Sequence, residues 1–279
     1  MRDRLFLFTA LILVVASASC SNQPAPPKPG TPAFYWAAAR TTYHNGDFVK
    51  ANESLVQIAS SDNEFTARAR PWSIMTAAGI ARGYAELAAT YDAGAKANRA
   101  NPTPFIKQAS ALRSAASAAA MEFAEASHQF LQQNKDPNVP FAFEFPTGSA
   151  AEPAGLKRIS SGILIQDSER DMLLKAMLQR GVLLTVCEAL GSPEDPAKGA
   201  EQLKTGEAQV PRATFLYAVA QALHTQSDLF SASKLDKPDR VRMLCEQARE
   251  ALQAIPETKE SKALDTKVQG TLKKLSKKS

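Results

Sequence analysis

The sequence predicts an all-α protein made of stacked antiparallel helix pairs. Alanine fills 49 of the 279 positions, whereas aromatic residues make up only 7% of the chain. Alanine is the best helix former, while strands favour β-branched and aromatic residues. Hydrophobic residues make up 44% and charged residues 22%, which is typical of a globular chain and excludes a disordered or collagen-like one.

A short apolar segment near the N-terminus follows two arginines. It runs from residue 5 to residue 16, about 12 residues, whereas a membrane-spanning helix needs about 20. Small residues at 17–19 then lead directly to Cys20. This arrangement resembles the lipobox of bacterial lipoproteins, which implies that residues 1–19 are a signal peptide and that Cys20 carries lipid. Plain secretion and an uncleaved anchor are the alternatives.

The residues after Cys20 indicate a destination and a tether. Ser21, and not an acidic residue, follows Cys20. This resembles lipoproteins that are delivered to the outer membrane, which implies an anchored chain that faces the periplasm. Residues 20–33 contain five prolines and no periodic apolar residues. Such a segment favours extended geometry and would hold the folded part up to roughly 40 Å from the bilayer. A leader without a spacing role is the alternative.

The folded part opens with a predicted helical hairpin between Phe34 and Ile58. Asn45-Gly46 interrupts the helical pattern, and Asp47 is placed to cap the second helix. The hairpin resembles a tetratricopeptide repeat. The matches to the turn glycine, aromatic, small and large apolar positions of that family are Gly46, Phe48, Ala51 and Leu55, with Tyr35 at its first aromatic.

Two later stretches resemble the same family. Asp136-Pro137-Asn138 is similar to the exit of such a repeat, and Pro256 to its closing proline. The helical patterns between them are longer than the family's period of about 34 residues allows. We therefore predict a tetratricopeptide-like α-solenoid with irregular repeats over residues 34–279, softly divided near residues 135–155.

The remaining helices are predicted from apolar residues spaced three and four apart and from their flanking residues. Prolines suit the first turn of a helix, and a glycine is common just after the last. One predicted helix has Pro71 in its first turn, and another runs from Pro104 to Gln133. A third is capped by Ser168 and ended by Gly191, and two more start at Pro211 and at Pro238.

Residues 139–146 are unusual because they place three phenylalanines at every second position between prolines. An extended chain would put Phe141, Phe143 and Phe145 on one face. The simpler interpretation is that they pack into the core or cover a helix end. The alternatives are a lid over a ligand cavity and an exposed segment that adds to a partner.

The sequence carries none of the common short motifs of serine hydrolases, P-loop proteins, dinucleotide-binding proteins or zinc peptidases. Its three histidines, His44, His128 and His224, are far apart along the chain. Acidic residues at 167, 169 and 171 lie at a predicted helix start, where the helix dipole favours them. We therefore predict no enzyme, no metal site and no cofactor.

Two cysteines lie in the predicted helices. Cys187 and Cys245 lie on apolar helical stripes, where we favour buried free thiols over a bridge.

The last 24 residues hold seven lysines against three acidic residues. They predict an amphipathic helix that caps the solenoid, with contact to anionic lipid or another acidic envelope polymer as the alternative. Nucleic acid is not an expected partner outside the cytoplasm.

The resemblances imply a protein-binding scaffold in the bacterial cell envelope, with another envelope protein as its partner. One alternative is a small-molecule or lipid-binding subunit of an envelope transport system, as in lipoproteins of TRAP-type uptake, with residues 139–146 as a lid over an apolar cavity. A part of outer-membrane assembly is another. The predicted contact residues are Tyr35, Trp36, Tyr43, Phe141, Phe143 and Phe145.

Overall fold

The computed structural model describes residues 27–276. Within this range the chain forms ten α-helices, one 3₁₀ turn at Asp228–Phe230 and two short strands. The predicted signal peptide of residues 1–19, the predicted lipidation site Cys20 and the first part of the predicted tether lie outside the described residues. The helices are α1 (Pro32–His44), α2 (Phe48–Ala59), α3 (Thr66–Ala97), α4 (Thr103–Gln133), α5 (Ala154–Ser160), α6 (Asp167–Ala189), α7 (Pro196–Gln202), α8 (Arg212–Ser227), α9 (Pro238–Gln253) and α10 (Lys259–Ser276).

The predicted hairpin at the start of the folded part is confirmed as α1 and α2. Gly46 has a φ of +71°, which a glycine adopts without strain, and it turns the chain between the two helices. The Asp47 carboxylate accepts a hydrogen bond from the backbone N–H of Lys50 at 3.4 Å and so caps α2. Ala39 and Ala51 are fully buried, which allows the two helices to pack closely.

Helix α3 is the central element, and at 32 residues it is about 48 Å long. It packs along α4 on one side and along α6 on another, and α2 covers its first half. The prediction that Pro71 lies in the first turn is wrong, because the helix begins at Thr66 and Pro71 falls in its second turn. The side chain of Asn63 donates to the carbonyl of Ile58 at 2.9 Å, and this bond helps to hold the entry to the earlier start.

Helices α3 and α6 cross with their backbones in contact. A Cβ atom on Gly181 of α6 would lie 2.2 Å from the carbonyl oxygen of Gly79 on α3. A Cβ atom on Gly79 would lie 2.4 Å from the Cα of Val182, and one on Gly83 would lie 2.6 Å from the carbonyl of Met177. Since real Cβ atoms do not approach so closely, only glycine permits this glycine crossing.

The phenylalanine segment begins as an extended strand. β1 (Asn138–Phe141) pairs antiparallel with β2 (Ala208–Pro211), with Val139 opposite Val210 and Phe141 opposite Ala208. The backbone N–H of Arg212 also donates to the carbonyl of Pro137 at 2.8 Å. This pairing ties the segment after α4 to the start of α8.

The helices of the second half pack in chain order. α8 packs against α9, α9 packs against α10, and α6 contacts α8 through its C-terminal half. The predicted starts at Pro211 and Pro238 agree with α8 and α9, and Gly191, with a φ of +70°, follows α6. The cap of α6 is Gln166, not Ser168, because Gln166 forms a capping box with Glu169.

The larger of two apolar clusters includes residues from Ala39 to Val268 and continues through residues 139–143, and the smaller one contains Tyr91 and Phe105. The all-α class is confirmed, apart from the small sheet. The lengths of α3 and α4 differ from the helices of a regular repeat, since each nearly fills a unit of about 34 residues that normally holds two. Among the described residues, no helix is long and apolar enough to cross a membrane.

Candidate functional site

Three of the six predicted contact residues are core residues. Tyr43, Phe141 and Phe143 keep 3%, 1% and 2% of their surface exposed. The ring of Phe143 stacks on Trp72 with centroids 5.2 Å apart, and the Tyr43 ring meets Trp72 edge-on at 5.0 Å. These side chains have almost no free surface for a partner. For Phe141 and Phe143, the packing interpretation of the segment is the one observed.

The other three predicted contact residues are half-buried at the edge of the same core. Trp36 stacks on Phe65 with centroids 5.2 Å apart. Phe145 packs close to Gly199 of α7, where a Cβ atom would lie 2.9 Å from its ring. Tyr35 meets the ring of Phe34 edge-on at 5.6 Å. Their main role is therefore also packing, although each retains some exposed surface.

An open groove lies along α3 and is bounded by α3, α6 and α8. Its volume is about 320 Å³, and its floor is a row of alanines on α3. Because an alanine side chain ends at Cβ, this face of α3 leaves space that no side chain fills. We call it the alanine groove. It is lined by Ala78, Ala81, Arg82, Ala85, Glu86 and Ala89 of α3, Thr185 and Glu188 of α6, Gln221, Ala222, Thr225 and Gln226 of α8, and Asp228, Leu229 and Lys234.

Ion pairs form one wall of the alanine groove. The guanidinium of Arg82 donates to Glu188 at 2.8 Å and to Glu86 at 3.0 Å. Glu86 also pairs with Arg180, which in turn donates to the carbonyl of Ala150 at 2.9 Å. Burial would lower the pKa of Arg82, but Glu188 and Glu86 outweigh burial and raise it. The wall therefore holds fixed, paired charges.

Polar side chains of α8 form the opposite wall. Gln226 is buried, and its amide donates to the carbonyl of Ala78 at 3.2 Å, which joins α8 to the floor of the groove. Its Oε1 atom has no hydrogen-bond partner among the described residues. Thr225 is exposed and Gln221 is half-buried. At the rim, Lys234 donates to Asp228 at 2.5 Å.

A second cavity of about 740 Å³ adjoins the groove at Thr225 and Asp228 and lies between α8, α9 and α10. We call it the end cavity. His224 and Thr271 are 3.2 Å apart at its edge. Burial, followed by Lys267, lowers the pKa of His224, so this histidine is neutral at pH 7. Leu275 and Ala232 provide apolar surface within the cavity.

The predicted histidines, acidic residues and cysteines do not come together. His44 lies 2.9 Å from Glu144, and His128 lies 3.6 Å from Glu250, in different parts of the fold. Among residues 27–276, no group of three or more potential ligands is arranged to hold a metal ion. Glu169 accepts from the N–H of Gln166 at 3.3 Å, so it serves the start of α6.

Both cysteines of the described chain are free and buried, as the sequence favours. Burial, followed by the charges of Glu188 and Asp195, raises the pKa of Cys187 to about 11. Burial also raises the pKa of Cys245. Neither thiol is therefore an activated nucleophile at neutral pH.

No motif in the sequence identifies the residues of the alanine groove. The Arg82 and Glu86 pair has the spacing of a helical ion pair, and alanines recur on one face of α3. Neither pattern identifies the helices that form the other walls. Searches against protein-family models, curated proteins and solved structures find no match to this chain.

Proposed function

We propose that the protein is a binding scaffold of the bacterial cell envelope and that the alanine groove receives an extended segment of a partner protein. The observation that carries this proposal is the open, alanine-floored groove of about 320 Å³ with a fixed ionic wall. In this proposal the protein acts by binding alone: it catalyses no reaction and uses no metal or cofactor. Its partner is another envelope protein.

The envelope location rests on the N-terminal sequence. Arginines, a short apolar run and small residues precede Cys20, and a proline-rich tether follows it. These features support a lipid anchor on Cys20. Ser21 supports the outer membrane, with the folded part on the periplasmic side. The lipoprotein assignment, the tetratricopeptide-like stacking and this location are parts of the same proposal.

The chemistry of the groove favours a polypeptide. Small side chains on the floor let a backbone approach α3 closely, while Gln221 and Thr225 offer donors and acceptors along one wall. The paired charges of Arg82 and Glu188 keep the opposite wall in place and leave no unpaired charge that a neutral segment would have to desolvate. A volume of about 320 Å³ is at the lower end for enclosed small-molecule sites, so several residues of an extended chain fit it better.

The end cavity supports a second candidate, the small-molecule alternative. Its volume of about 740 Å³ is in the range of ligand sites, and Ala232 and Leu275 give it an apolar part. Residues 139–146 line neither this cavity nor the alanine groove. A carrier function would therefore use the end cavity without the phenylalanine segment as a lid.

A groove-filling variant tests the scaffold. Ala85 and Ala89 are replaced by Leu in the full chain, which is then extracted gently from its own envelope through a C-terminal tag. Native mass spectrometry should show a protein partner at fixed stoichiometry on the unmodified chain and its loss from the variant. The matched control replaces Ala67 and Ala93, which are exposed on α3 outside the groove, and should keep the partner.

Two results would contradict the proposal. One is a groove-filled variant that keeps its partner at the original stoichiometry. The other is a small extra mass on a single chain that both pairs of substitutions leave in place, since this would indicate a carrier that uses the end cavity.

A further inference from the structure

Exposed apolar side chains concentrate at one end of the molecule. Residues 27–276 contain six exposed large apolar side chains, and four of them border the smaller of the two apolar clusters. Ile106, Ile163, Leu164 and Met172 keep 54%, 51%, 44% and 67% of their surface exposed. We call this region, formed by the last turns of α3, the first turn of α4, α5, residues 161–166 and the start of α6, the aliphatic end.

The loop that carries two of these residues is held in place. The side chain of Asn98 donates to the carbonyl of Gly162 at 3.0 Å, and the N–H of Ile163 donates to the carbonyl of Arg158 at 3.0 Å. Beneath it, Gly94 lies so close to Ile159 that a Cβ atom would be 2.3 Å from its carbonyl oxygen. The exposed aliphatic side chains therefore sit on a fixed framework.

Cations without partners surround the aliphatic end. Its carboxylates are mostly paired, Asp92 with Arg113, Asp167 with Arg170 and Glu169 with Arg158. Within the described chain, Asp171 is the one carboxylate at this end without an ion pair. Four exposed cations of this end make no side-chain hydrogen bond or ion pair with residues 27–276, and these are Lys96, Arg99, Lys107 and Lys157.

We propose that the aliphatic end binds the surface of an anionic lipid bilayer. Aliphatic side chains beside free lysines and arginines are the composition of interfacial membrane contacts, where the apolar groups enter the headgroup region and the cations meet lipid phosphates. Protein interfaces are instead depleted in lysine and concentrate their binding energy in Trp, Tyr and Arg, whereas three of the four unpaired cations here are lysines. The aromatic residues of this end, Tyr91 and Phe105, are buried. The chemistry therefore favours lipid over a protein partner.

The position of the tether is compatible with this contact. Trp36 of α1 stacks on Phe65, so the chain enters beside the first turn of α3, about 48 Å from the aliphatic end. Residues 20–31 span up to roughly 37 Å when extended. Both ends reach one bilayer when α3 lies along its surface. The inference goes beyond the proposed function and does not depend on what the alanine groove holds.

A fluorescent label in the full chain tests the contact. Ala100 is exposed in the turn after α3 and is replaced by Cys for labelling with an environment-sensitive dye. Cys187 and Cys245 are buried and stay unlabelled, and a chain without the added cysteine measures the background, including any at Cys20. The labelled chain is reconstituted into vesicles of phosphatidylcholine alone or mixed with phosphatidylglycerol.

We expect a blue shift of the dye emission only in the vesicles that contain phosphatidylglycerol, with reversal at high salt. A label at Ala197, which is exposed on α7, should not shift. Replacing Lys96, Lys107 and Lys157 by Gln should weaken the contact by about fivefold for each cation, or roughly a hundredfold together.

The charge-matched control replaces Lys198, Lys204 and Lys237, which are exposed elsewhere, and should keep the shift. Equal emission in both kinds of vesicle would overturn the inference. So would a shift that appears in native envelope membranes but never in protein-free vesicles, because that result would identify a protein partner.

Discussion

Two faces of α3 are lined by small residues, but one is closely packed and the other borders an open groove. At the glycine crossing, Gly79 and Gly83 bring the backbone of α6 into contact, and no space remains for even one methyl group. One position away, Ala78 begins the row of alanines that forms the floor of the alanine groove, and along this row Ala85 and Ala89 retain exposed surface. Small residues therefore do not by themselves make a face of α3 open. A face is closed where a neighbouring helix packs directly on it, and it is open where the neighbouring helices stand apart.

The two faces also depend on each other. The crossing fixes the distance between α3 and α6, and the ion pairs of Arg82 and Glu188 connect the same two helices beside it. On its other side the groove is bounded by α8, which Gln226 joins to α3. A close crossing thus supports an open groove next to it. We expect the crossing to be sensitive to added volume and the groove to tolerate it.

The largest effect is expected at the crossing. Gly181→Ala places a Cβ atom 2.2 Å from a backbone oxygen that cannot move away easily, so the free energy of unfolding should fall by about 3 kcal/mol. Urea denaturation measures this change. Gly270→Ala on α10 is the matched control because no atom lies within 4 Å of its added Cβ. Its free energy of unfolding should rise by about 0.5–1 kcal/mol. Equal effects of the two substitutions would contradict the close crossing.

The next effect is expected at the ionic wall. Arg82→Gln leaves Glu188, which is largely buried, without its partner at 2.8 Å, and the free energy of unfolding should fall by about 1–2 kcal/mol. Arg68→Gln removes an exposed pair with Glu207 at 3.9 Å and should change it by less than about 0.5 kcal/mol. If both variants unfold at the same urea concentration, the wall contributes nothing to the spacing of the helices.

A small effect is expected on the floor of the groove. Ala89 is exposed, so Ala89→Leu should change the free energy of unfolding by less than about 0.5 kcal/mol. The same denaturation measurement checks it beside Gly181→Ala. A loss as large as that of the crossing variant would mean that the floor is covered in solution.

The smallest effect concerns the thiols. Burial and nearby carboxylates raise the pKa of Cys187 to about 11, so little thiolate exists at pH 8 and a thiol reagent should not react with the folded chain at a measurable rate. Both Cys187 and Cys245 should react once urea unfolds it. Fast labelling of either in the absence of urea would show that α6 or α9 opens locally.

The sequence predicted what depends on neighbouring residues. Asp47 and Gly46 indicated the first hairpin, and the alternating phenylalanines indicated an extended segment. Helix α4 was predicted within one residue. Such features arise from caps, turns and periodicity, each of which is legible within a few positions.

The sequence did not predict what depends on distant residues. The six contact residues were predicted from their aromatic character, yet Trp72 and its neighbours enclose three of them. The alanine groove combines residues of three helices, and one pattern along the chain does not reveal which helices meet.

Photo-crosslinking in living cells tests the central claim most directly. A photoreactive amino acid is placed at Thr225, which is exposed in the wall of the alanine groove, and separately at Ala93, which is exposed on α3 outside it. The scaffold predicts a crosslink to one defined protein from Thr225 and none from Ala93. No crosslinked protein at Thr225, or the same protein from both positions, would contradict it.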